Sequence, residues 1–287
     1  MKIALIGYGY WGKKIYQTLV NVIPKDNIFI IDPYFRGDRT SLQFISLNEA
    51  LSRIEINKIL IATPEETHFS IAKECLENNK DVFVEKPLCL KENEAKQLHK
   101  LAKKNNLQIY VYYIFLRDAY VKKIKEIIDS NKIGKLSHIE SVRHSININK
   151  PNITVLDDLA THDIYLGKYF FKNDLNSFEI IKENINSNQI NQASILFNFK
   201  NQTLAAHYSW IQPIAKRKMT FFGDKAALIW DKSNSDILLY KNQTLAEKIS
   251  VSEVSSSLEI SIKKFLYEKS NYDYTTDVLL LEQLDNS

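Results

Sequence analysis

One short stretch near the start of the chain constrains the fold more than any other, Gly7-Tyr8-Gly9-Tyr10-Trp11-Gly12. It fits the pattern G-x-G-x-x-G and stands between an apolar run, Lys2–Gly7, and an amphipathic stretch, Trp11–Ile23. The pattern alone is weak evidence, but a position after a buried strand and at the start of a helix is what dinucleotide binding requires. There the first glycine permits a tight turn, the second lets the main chain approach a pyrophosphate, and the third lets the helix pack closely on the strand. The stretch therefore predicts a dinucleotide-binding turn, with a glycine-rich turn that holds no ligand as the alternative.

The pattern that follows predicts two domains of different architecture. Short apolar runs alternate with amphipathic helical stretches in the first part, which indicates a doubly wound parallel sheet of the Rossmann type. These segments are Ile28–Asp32, Lys58–Thr63, Asp81–Glu85 and Gln108–Tyr113 as strands, and Thr67–Asn78 and Lys91–Asn105 as helices. Beyond Arg117, two helices precede a series of strand-like runs, which is typical of a mainly antiparallel sheet. We therefore expect a dinucleotide-binding domain over residues 1–117 and an α+β domain for substrate binding and oligomerisation over residues 118–287.

Composition excludes several classes of partner. The chain has 38 basic and 34 acidic residues, and a formal charge of +4 is too small to indicate nucleic acid. The two cysteines, Cys75 and Cys89, lack the spacing of a metal site, so we expect buried thiols in a reducing cytoplasm and no metal. No signal peptide is evident, and no apolar run approaches the ~18 residues that a membrane span needs. The expected location is therefore cytoplasmic, without a membrane partner.

Asp32 closes the second apolar run and bears on the choice of cofactor. A carboxylate at this position can accept hydrogen bonds from both ribose hydroxyls of NAD and would repel the extra phosphate of NADP. Arg36 and Arg39 follow within a few residues and could soften that preference. The sequence therefore favours NAD(H) over NADP(H).

Two further groups follow strands of the same predicted sheet. Thr63-Pro64, with His68 on the next helix, follows one strand, and Glu85-Lys86-Pro87 ends the next. The carboxyl ends of parallel strands share one edge of the sheet, where ligands bind. Lys86 would thus lie where a nicotinamide ring binds and could exchange a proton there, although a surface ion pair is the alternative. The candidate cofactor-binding residues are Gly7, Gly9, Tyr10, Trp11, Gly12, Asp32, Thr63, Pro64, His68, Glu85, Lys86 and Pro87.

The second domain contributes one candidate pair, Asp158 and His162. On a helix, residues four apart lie on the same face, and a carboxylate there can orient and charge-stabilise an imidazole that exchanges a proton with a substrate hydroxyl. A D-x-x-x-H pair is nonspecific by itself, and a helix-surface ion pair is the alternative. The candidate catalytic residues are Lys86, His162 and Asp158.

These motifs in this order resemble one known family. The stretch I-A-T-P-E-E-T-H at Ile61–His68, followed by V-F-V-E-K-P at Val82–Pro87, is similar to the glucose–fructose oxidoreductase / inositol dehydrogenase family, often called Gfo/Idh/MocA. The order G-x-G-x-x-G, T-P-x-x-x-H, E-K-P, D-x-x-x-H is highly specific to it. A weaker likeness extends to Arg217–Gly223, which is similar to the family's R-x-x-x-x-x-G stretch.

The resemblance implies both a fold and site residues. It implies a Rossmann domain followed by an α/β domain built on a large open sheet that often serves as an oligomer interface. It also implies that Lys86 takes part in catalysis and nicotinamide positioning, and that His162 is the acid/base with Asp158 as its partner. The Lys86–Pro87 peptide is expected to be cis. Two departures are Ala160, where the family commonly has glycine, and a short second domain, which puts substrate loops in doubt more than catalysis.

The resemblance further implies an NAD(P)-dependent oxidoreductase that transfers a hydride between nicotinamide and a secondary alcohol or ketone of a sugar. The stretch G-Y-G-Y-W-G looks like members associated with nucleotide-sugar and surface-polysaccharide pathways, so a nucleotide-linked sugar is the favoured substrate. Lys216, Arg217 and Lys218 could meet its diphosphate or could simply be solvated. One alternative is a dehydrogenase of a free sugar, inositol or another small polyol. An alternative of another class is a non-catalytic NAD-binding regulatory protein.

A homo-oligomer, dimer or tetramer, is expected from the second domain. The apolar and aromatic content of Ile195–Phe199, Tyr208–Ile211 and Phe221–Phe222 indicates more sheet surface than that domain's own helices can cover.

Overall fold

The chain divides into two units in a computed structural model. One unit comprises Met1–Ile114 with the residues from Ser255 onward, and the other comprises Phe115–Val254. The structure describes residues 1–38, 42–145, 154–186, 189–252 and 255–269, without the side chains of residues 157 and 182–189. Arg39 therefore lies outside the described residues.

The first unit is a parallel sheet with helices between its strands. Its six strands lie in the order β3-β2-β1-β4-β5-β6, and every neighbouring pair is parallel. The strands are β1 (Lys2–Ile6), β2 (Ile28–Ile31), β3 (Gln43–Phe44), β4 (Ile56–Ile61), β5 (Asp81–Glu85) and β6 (Ile109–Tyr112). The helices are α1 (Tyr10–Leu19), α2 (Leu47–Ser52), α3 (His68–Glu77) and α4 (Glu92–Asn105). The order reverses direction at β1, as in doubly wound folds, and it confirms the predicted Rossmann sheet.

A helix from the end of the chain packs on this first unit. It is the helix Ser257–Tyr267, and its Ile262 and Phe265 are fully buried. The ring of Phe265 lies 5.7 Å from that of Phe83 in β5, and the Nζ of Lys58 donates to the Phe265 carbonyl oxygen at 3.0 Å. Assigning all of residues 118–287 to the second domain is therefore corrected, because the apolar face of this helix is buried against the first sheet. The first boundary lies after Ile114 rather than after residue 117.

The second unit is a mainly antiparallel sheet of eight strands, as expected. Their order is β14-β13-β12-β11-β7-β10-β9-β8, and only the β7–β10 pair is parallel among the described residues. The strands are β7 (Leu136–His144), β8 (Ser177–Asn186), β9 (Gln189–Phe199), β10 (Gln202–Ser209), β11 (Lys216–Gly223), β12 (Ala227–Asp231), β13 (Asp236–Lys241) and β14 (Thr244–Ser250). The described helices of this unit are α5 (Ala119–Asp129) and α6 (Val155–Phe171), and the helix Ser257–Tyr267 of the first unit is α7.

Helix α6 covers one face of this second sheet. Phe170 lies edge-to-face against Phe221 at 4.7 Å, and Phe171 lies 5.2 Å from Phe199. Most aromatic residues on which the oligomer prediction rested, Phe197, Phe199, Tyr208 and Phe221 among them, are thus buried within the protein itself. They supply no uncovered surface, so that argument fails, and oligomerisation stays a prediction. Among the described residues, no helix has the length and apolarity needed to cross a membrane.

Candidate functional site

The glycine turn joins β1 to α1 with geometry that only glycine allows at two positions. Gly7 has φ +89°, and a Cβ there would stand 2.5 Å from the Ala62 carbonyl oxygen. A Cβ on Gly12 would stand 2.0 Å from the Gly7 carbonyl oxygen. Around Gly9, by contrast, no atom of the described residues other than its chain neighbours lies within 4 Å of such a Cβ. The first and third glycines therefore let the turn fold and pack, while the second leaves open space in front of the main chain at the start of α1.

Aromatic side chains stand beside this turn. Tyr10 and Trp11 begin α1 and are 77% and 37% exposed. The Nζ of Lys14 donates to the Tyr10 hydroxyl at 2.8 Å and lies 4.7 Å from the centre of a Trp11 ring. The Trp11 ring meets Tyr112, the last residue of β6, edge-on at 6.5 Å. A cation and two partly exposed rings thus lie beside the first turn of the helix.

Asp32 follows β2, and both of its carboxylate oxygens are held by main-chain N–H groups. Tyr8 donates to Oδ2 at 2.8 Å and Tyr34 donates to Oδ1 at 2.9 Å. These bonds fix the carboxylate beside the glycine turn. A carboxylate oxygen has two lone pairs, so each one retains acceptor capacity for a ligand hydroxyl.

His68 supports two turns at the carboxyl edge of the sheet. Its side chain is buried, with Nδ1 at 2.7 Å from the Pro87 carbonyl oxygen and Nε2 at 2.9 Å from the Thr63 carbonyl oxygen. The Thr63 turn is further braced by Thr67, whose hydroxyl lies 2.7 Å from the Thr63 hydroxyl. The sequence predicts His68 as a cofactor-binding residue. In the structure, both of its ring nitrogens lie within hydrogen-bond distance of main-chain oxygens that follow β4 and β5.

Glu85, Lys86 and Pro87 close β5 at the same edge. The Lys86–Pro87 peptide is cis, as expected. Glu85 is buried, and its Oε1 lacks a hydrogen-bond partner among the described residues. Burial raises the pKa of Glu85 to about 8, against the opposing effect of the Lys86 charge and main-chain N–H. Glu85 is therefore a carboxyl whose proton is easily retained near neutral pH, directly beside the candidate catalytic lysine.

A cavity of about 870 Å³ lies in the first unit at this edge. It is bordered by the glycine turn, by Asp32–Tyr34, by residues 44–47 before and at the start of α2, and by Thr63-Pro64. Its volume is in the range of small-molecule sites, and most of its lining residues are apolar.

These features fit a dinucleotide. The main chain at Gly9 is open, free N–H groups at the start of a helix suit phosphate, and a fixed carboxylate suits ribose hydroxyls. Among the described residues no group of three or more His, Cys, Asp or Glu side chains is arranged to hold a metal ion.

The second unit carries the other candidate residues on α6. Asp158 and His162 lie one turn apart on the same face of this helix, as the spacing predicted. The His162 ring contacts Phe115 edge-on, with 4.8 Å between the ring centres and 87° between the ring planes. Ala160 lies between them, and the helix continues through it without interruption.

A buried charged cluster adjoins His162, and the sequence did not predict it. Asp163 is fully buried, and its Oδ1 accepts from the Nε of Arg143 at 2.9 Å and from Nη2 at 2.5 Å. Its Oδ2 accepts from the Tyr208 hydroxyl at 3.0 Å. Burial raises the pKa of Tyr208 well above its usual value. The sequence does not predict this cluster, because Arg143, Asp163 and Tyr208 lie in three separate elements, β7, α6 and β10.

Comparison with known proteins identifies the first unit most clearly. Residues 1–113 match the GFO_IDH_MocA family model, described as an oxidoreductase family with an NAD-binding Rossmann fold. The chain is 28% identical to the uncharacterized oxidoreductase YdgJ of Escherichia coli over 146 residues. This alignment covers 49% of this chain and 42% of that protein. It is 27% identical over 243 residues to an oxidoreductase of Formosa agariphila, covering 79% and 75%. An inositol 2-dehydrogenase of Rhodococcus erythropolis is 21% identical over 198 residues, covering 65% and 57%. The chain thus spans less than half of YdgJ and three quarters of the Formosa protein.

Solved structures share the whole fold. The UDP-N-acetylglucosamine 3-dehydrogenase from Acidithiobacillus ferrooxidans superposes with a TM-score of 0.80 at 19% identity, covering 93% of this chain and 88% of that one. A protein of gentamicin A biosynthesis, in complex with NAD, gives a TM-score of 0.82 at 16% identity, covering 100% and 93%. Both likenesses concern the fold, including the second sheet.

Proposed function

We propose that this chain is a member of the Gfo/Idh/MocA oxidoreductase family and transfers a hydride between NAD and a secondary alcohol or ketone of a sugar. The observation that carries the proposal is the edge of the first sheet. There an open glycine turn, a fixed carboxylate and a lysine follow three strands of one parallel sheet. When bound, NAD supplies the hydride acceptor at its nicotinamide ring.

The first-unit residues account for binding the cofactor. The Gly7–Gly12 turn and the start of α1 receive the pyrophosphate, since the open main chain and helix dipole favour negative charge. Asp32 accepts hydrogen bonds from the ribose hydroxyls and disfavours a ribose phosphate by charge repulsion. NAD is therefore preferred over NADP.

Proton exchange is assigned to Lys86 and His162. As a substrate C–H bond transfers its hydride, the hydroxyl oxygen on the same carbon loses a proton and the ketone forms. His162 or Lys86 takes that proton, and in the reverse direction returns it. Asp158, on the same face of α6, orients His162 and stabilises its charged form.

For the substrate, we favour a nucleotide-linked sugar in surface-polysaccharide biosynthesis. The G-Y-G-Y-W-G turn supports this choice, as does the fold shared with a UDP-N-acetylglucosamine 3-dehydrogenase. The relative named inositol 2-dehydrogenase favours a second candidate, a dehydrogenase of a free sugar or small polyol.

The test is turnover with a panel of substrates. The purified chain is incubated with NAD and with UDP-sugars, free sugars or inositol, and NADH formation is followed by absorbance. We expect turnover with a UDP-sugar, and a loss of ~10²–10⁴ in kcat for both His162→Ala and Lys86→Ala. Asp158→Asn should lose less, and NADH should still bind to His162→Ala.

Matched controls separate chemistry from folding. His138→Ala removes a histidine from β7, and Lys73→Ala removes a lysine from the surface of α3, so both should retain turnover. Undiminished activity in His162→Ala would refute its role as acid/base. NADH binding without turnover on any panel member would favour a non-catalytic NAD-binding regulatory protein.

A further inference from the structure

Two arginines, one buried and one half-buried, face each other across neighbouring strands of the second unit. In the antiparallel pairing of β11 with β7, Arg217 lies directly opposite Arg143. On the other side of β7, Arg143 lies beside Tyr208 of β10. Arg217 shares its face of β11 with Met219 and Phe221, which are buried, and Phe221 packs on α6. Like charges directly opposite in a sheet are destabilising, and burial strengthens their repulsion.

The one buried carboxylate of the cluster is committed to Arg143. Asp163 receives two hydrogen bonds from that guanidinium and a third from Tyr208. Within ion-pair distance the two guanidinium cations therefore have, among the described residues, a single carboxylate, that of Asp163, while the Asp118 carboxylate acts on Arg217 from farther away. Arg143 is buried, and its Nη1 has no hydrogen-bond partner among the described residues.

Arg217 is the more exposed of the two arginines. It is half-buried, and within the described residues no carboxylate oxygen lies within ion-pair distance of it. Its guanidinium carbon lies 4.4 Å from the centre of the Phe115 ring, and that of Arg143 lies 4.7 Å from the same ring. Burial and the Arg143 charge lower the pKa of Arg217 to about 10, against the opposing effect of the Asp163 and Asp118 charges, so it remains a cation at neutral pH.

The Phe115 ring also contacts His162, the proposed acid/base. Arg217 and the residue that would act on the substrate hydroxyl therefore contact the same aromatic ring. A planar guanidinium presents paired N–H donors that match the oxygens of a carboxylate or a phosphate.

We propose that Arg217 binds an anionic oxygen group of the substrate, a carboxylate or a phosphate, beside His162. The substrate is then a sugar that carries such a group, either as a sugar acid or through the diphosphate of a nucleotide sugar. This assignment of the anion to a substrate rests on the proposed function. The proposal concerns Arg217 and not the neighbouring lysines, because Lys216 and Lys218 point to the opposite face of β11.

The experiment measures binding rather than turnover. Calorimetric titration without NAD(H), at fixed ionic strength and in a phosphate-free buffer, uses UDP-glucuronate, UDP-glucose, D-glucuronate and D-glucose as probes. The proteins are the wild type, Arg217→Gln, the charge-retaining Arg217→Lys, and the matched control Lys218→Gln. We expect Arg217→Gln to weaken anion binding about 10- to 100-fold, while Lys218→Gln stays close to the wild type.

The probes identify the source of the anion. A preference for UDP-glucuronate over UDP-glucose that disappears in Arg217→Gln assigns the sugar carboxylate. Equal binding of both UDP-sugars, weakened equally by Arg217→Gln, assigns the diphosphate. Failure of every anionic probe to bind the wild type, or equal binding by the wild type and Arg217→Gln, would overturn the proposal.

Thermal unfolding without probe distinguishes a ligand-binding arginine from a structural one. Because Arg217 opposes Arg143 without a carboxylate of its own, Arg217→Gln should be at least as stable as the wild type. A lower Tm in Arg217→Gln, restored in Arg217→Lys, would indicate a structural role and overturn the proposal. Since binding is read without turnover, Arg217-dependent binding in a protein inactive towards every sugar would remove the proposed function and leave this site standing.

Discussion

The buried carboxyl of Glu85 makes stability depend on pH in a way that a single substitution should abolish. Its pKa rises from an ordinary value of 4.5 to about 8 on folding, chiefly through burial. At about 1.36 kcal/mol per pH unit, that difference corresponds to roughly 5 kcal/mol as an upper limit. The sign follows from proton binding. Between pH 4.5 and 8 the folded chain holds a proton that the unfolded chain has released, so this residue makes stability fall as pH rises through that interval.

Glu85→Gln replaces the carboxyl with an uncharged group of similar shape and should remove this dependence. The free energy of unfolding of the variant, relative to wild type, should increase by about 1.4 kcal/mol per pH unit from pH 5 to 8. The increase should level off above pH 8, where the wild-type carboxyl has lost its proton.

Urea unfolding followed by circular dichroism at pH 5, 6, 7 and 8, without cofactor, measures the difference. The same change at Glu66, an exposed residue, controls for the general effect of removing a carboxylate. A difference between Glu85→Gln and wild type that stays constant from pH 5 to 8 would refute the reasoning, since it would mean that Glu85 titrates alike in both states.

Other expectations concern the glycine turn, the buried cluster and assembly. Gly12→Ala should fail to fold normally or lose NADH binding, because its Cβ would overlap the Gly7 carbonyl oxygen. Gly9→Ala should fold like wild type and bind NADH more weakly. Circular dichroism measures the folding of both variants, and fluorescence titration measures their NADH binding. Asp163→Asn should lower the free energy of unfolding by about 3–5 kcal/mol, since it leaves Arg143 buried without its counter-charge, and Tyr208→Phe by about 1 kcal/mol, as chemical denaturation would measure. Light scattering should find a dimer or tetramer, and a species of only 33.3 kDa at micromolar concentration would contradict that prediction.

Local sequence patterns were enough to predict a strand or helix where the segment is apolar and is flanked by turn residues. Strands β1, β2, β5 and β6 are buried at nearly every position, so they read as mainly apolar runs, and α1, α3 and α4 show helical periodicity. The two-residue strand β3 and the short helix α2 were not predicted. The G-x-G-x-x-G turn, the Asp after β2 and the E-K-P sequence after β5 follow from chain order once the sheet is recognised as parallel. The same reasoning missed β7, the strand at the centre of the second sheet, because Ser137 and Glu140 are exposed and interrupt its apolar residues.

What the sequence by itself determined was the glycine turn between β1 and α1, the parallel sheet and the positions of Lys86 and His162 on their elements. Only the tertiary structure decided that α7 belongs to the first unit, that His68 braces two turns, and that Arg217 lies opposite Arg143. Each of these depends on contact between residues far apart in the chain, and strand order and register bring them together. Helical and strand periodicity record which face of an element is buried, but they do not record which other element covers it.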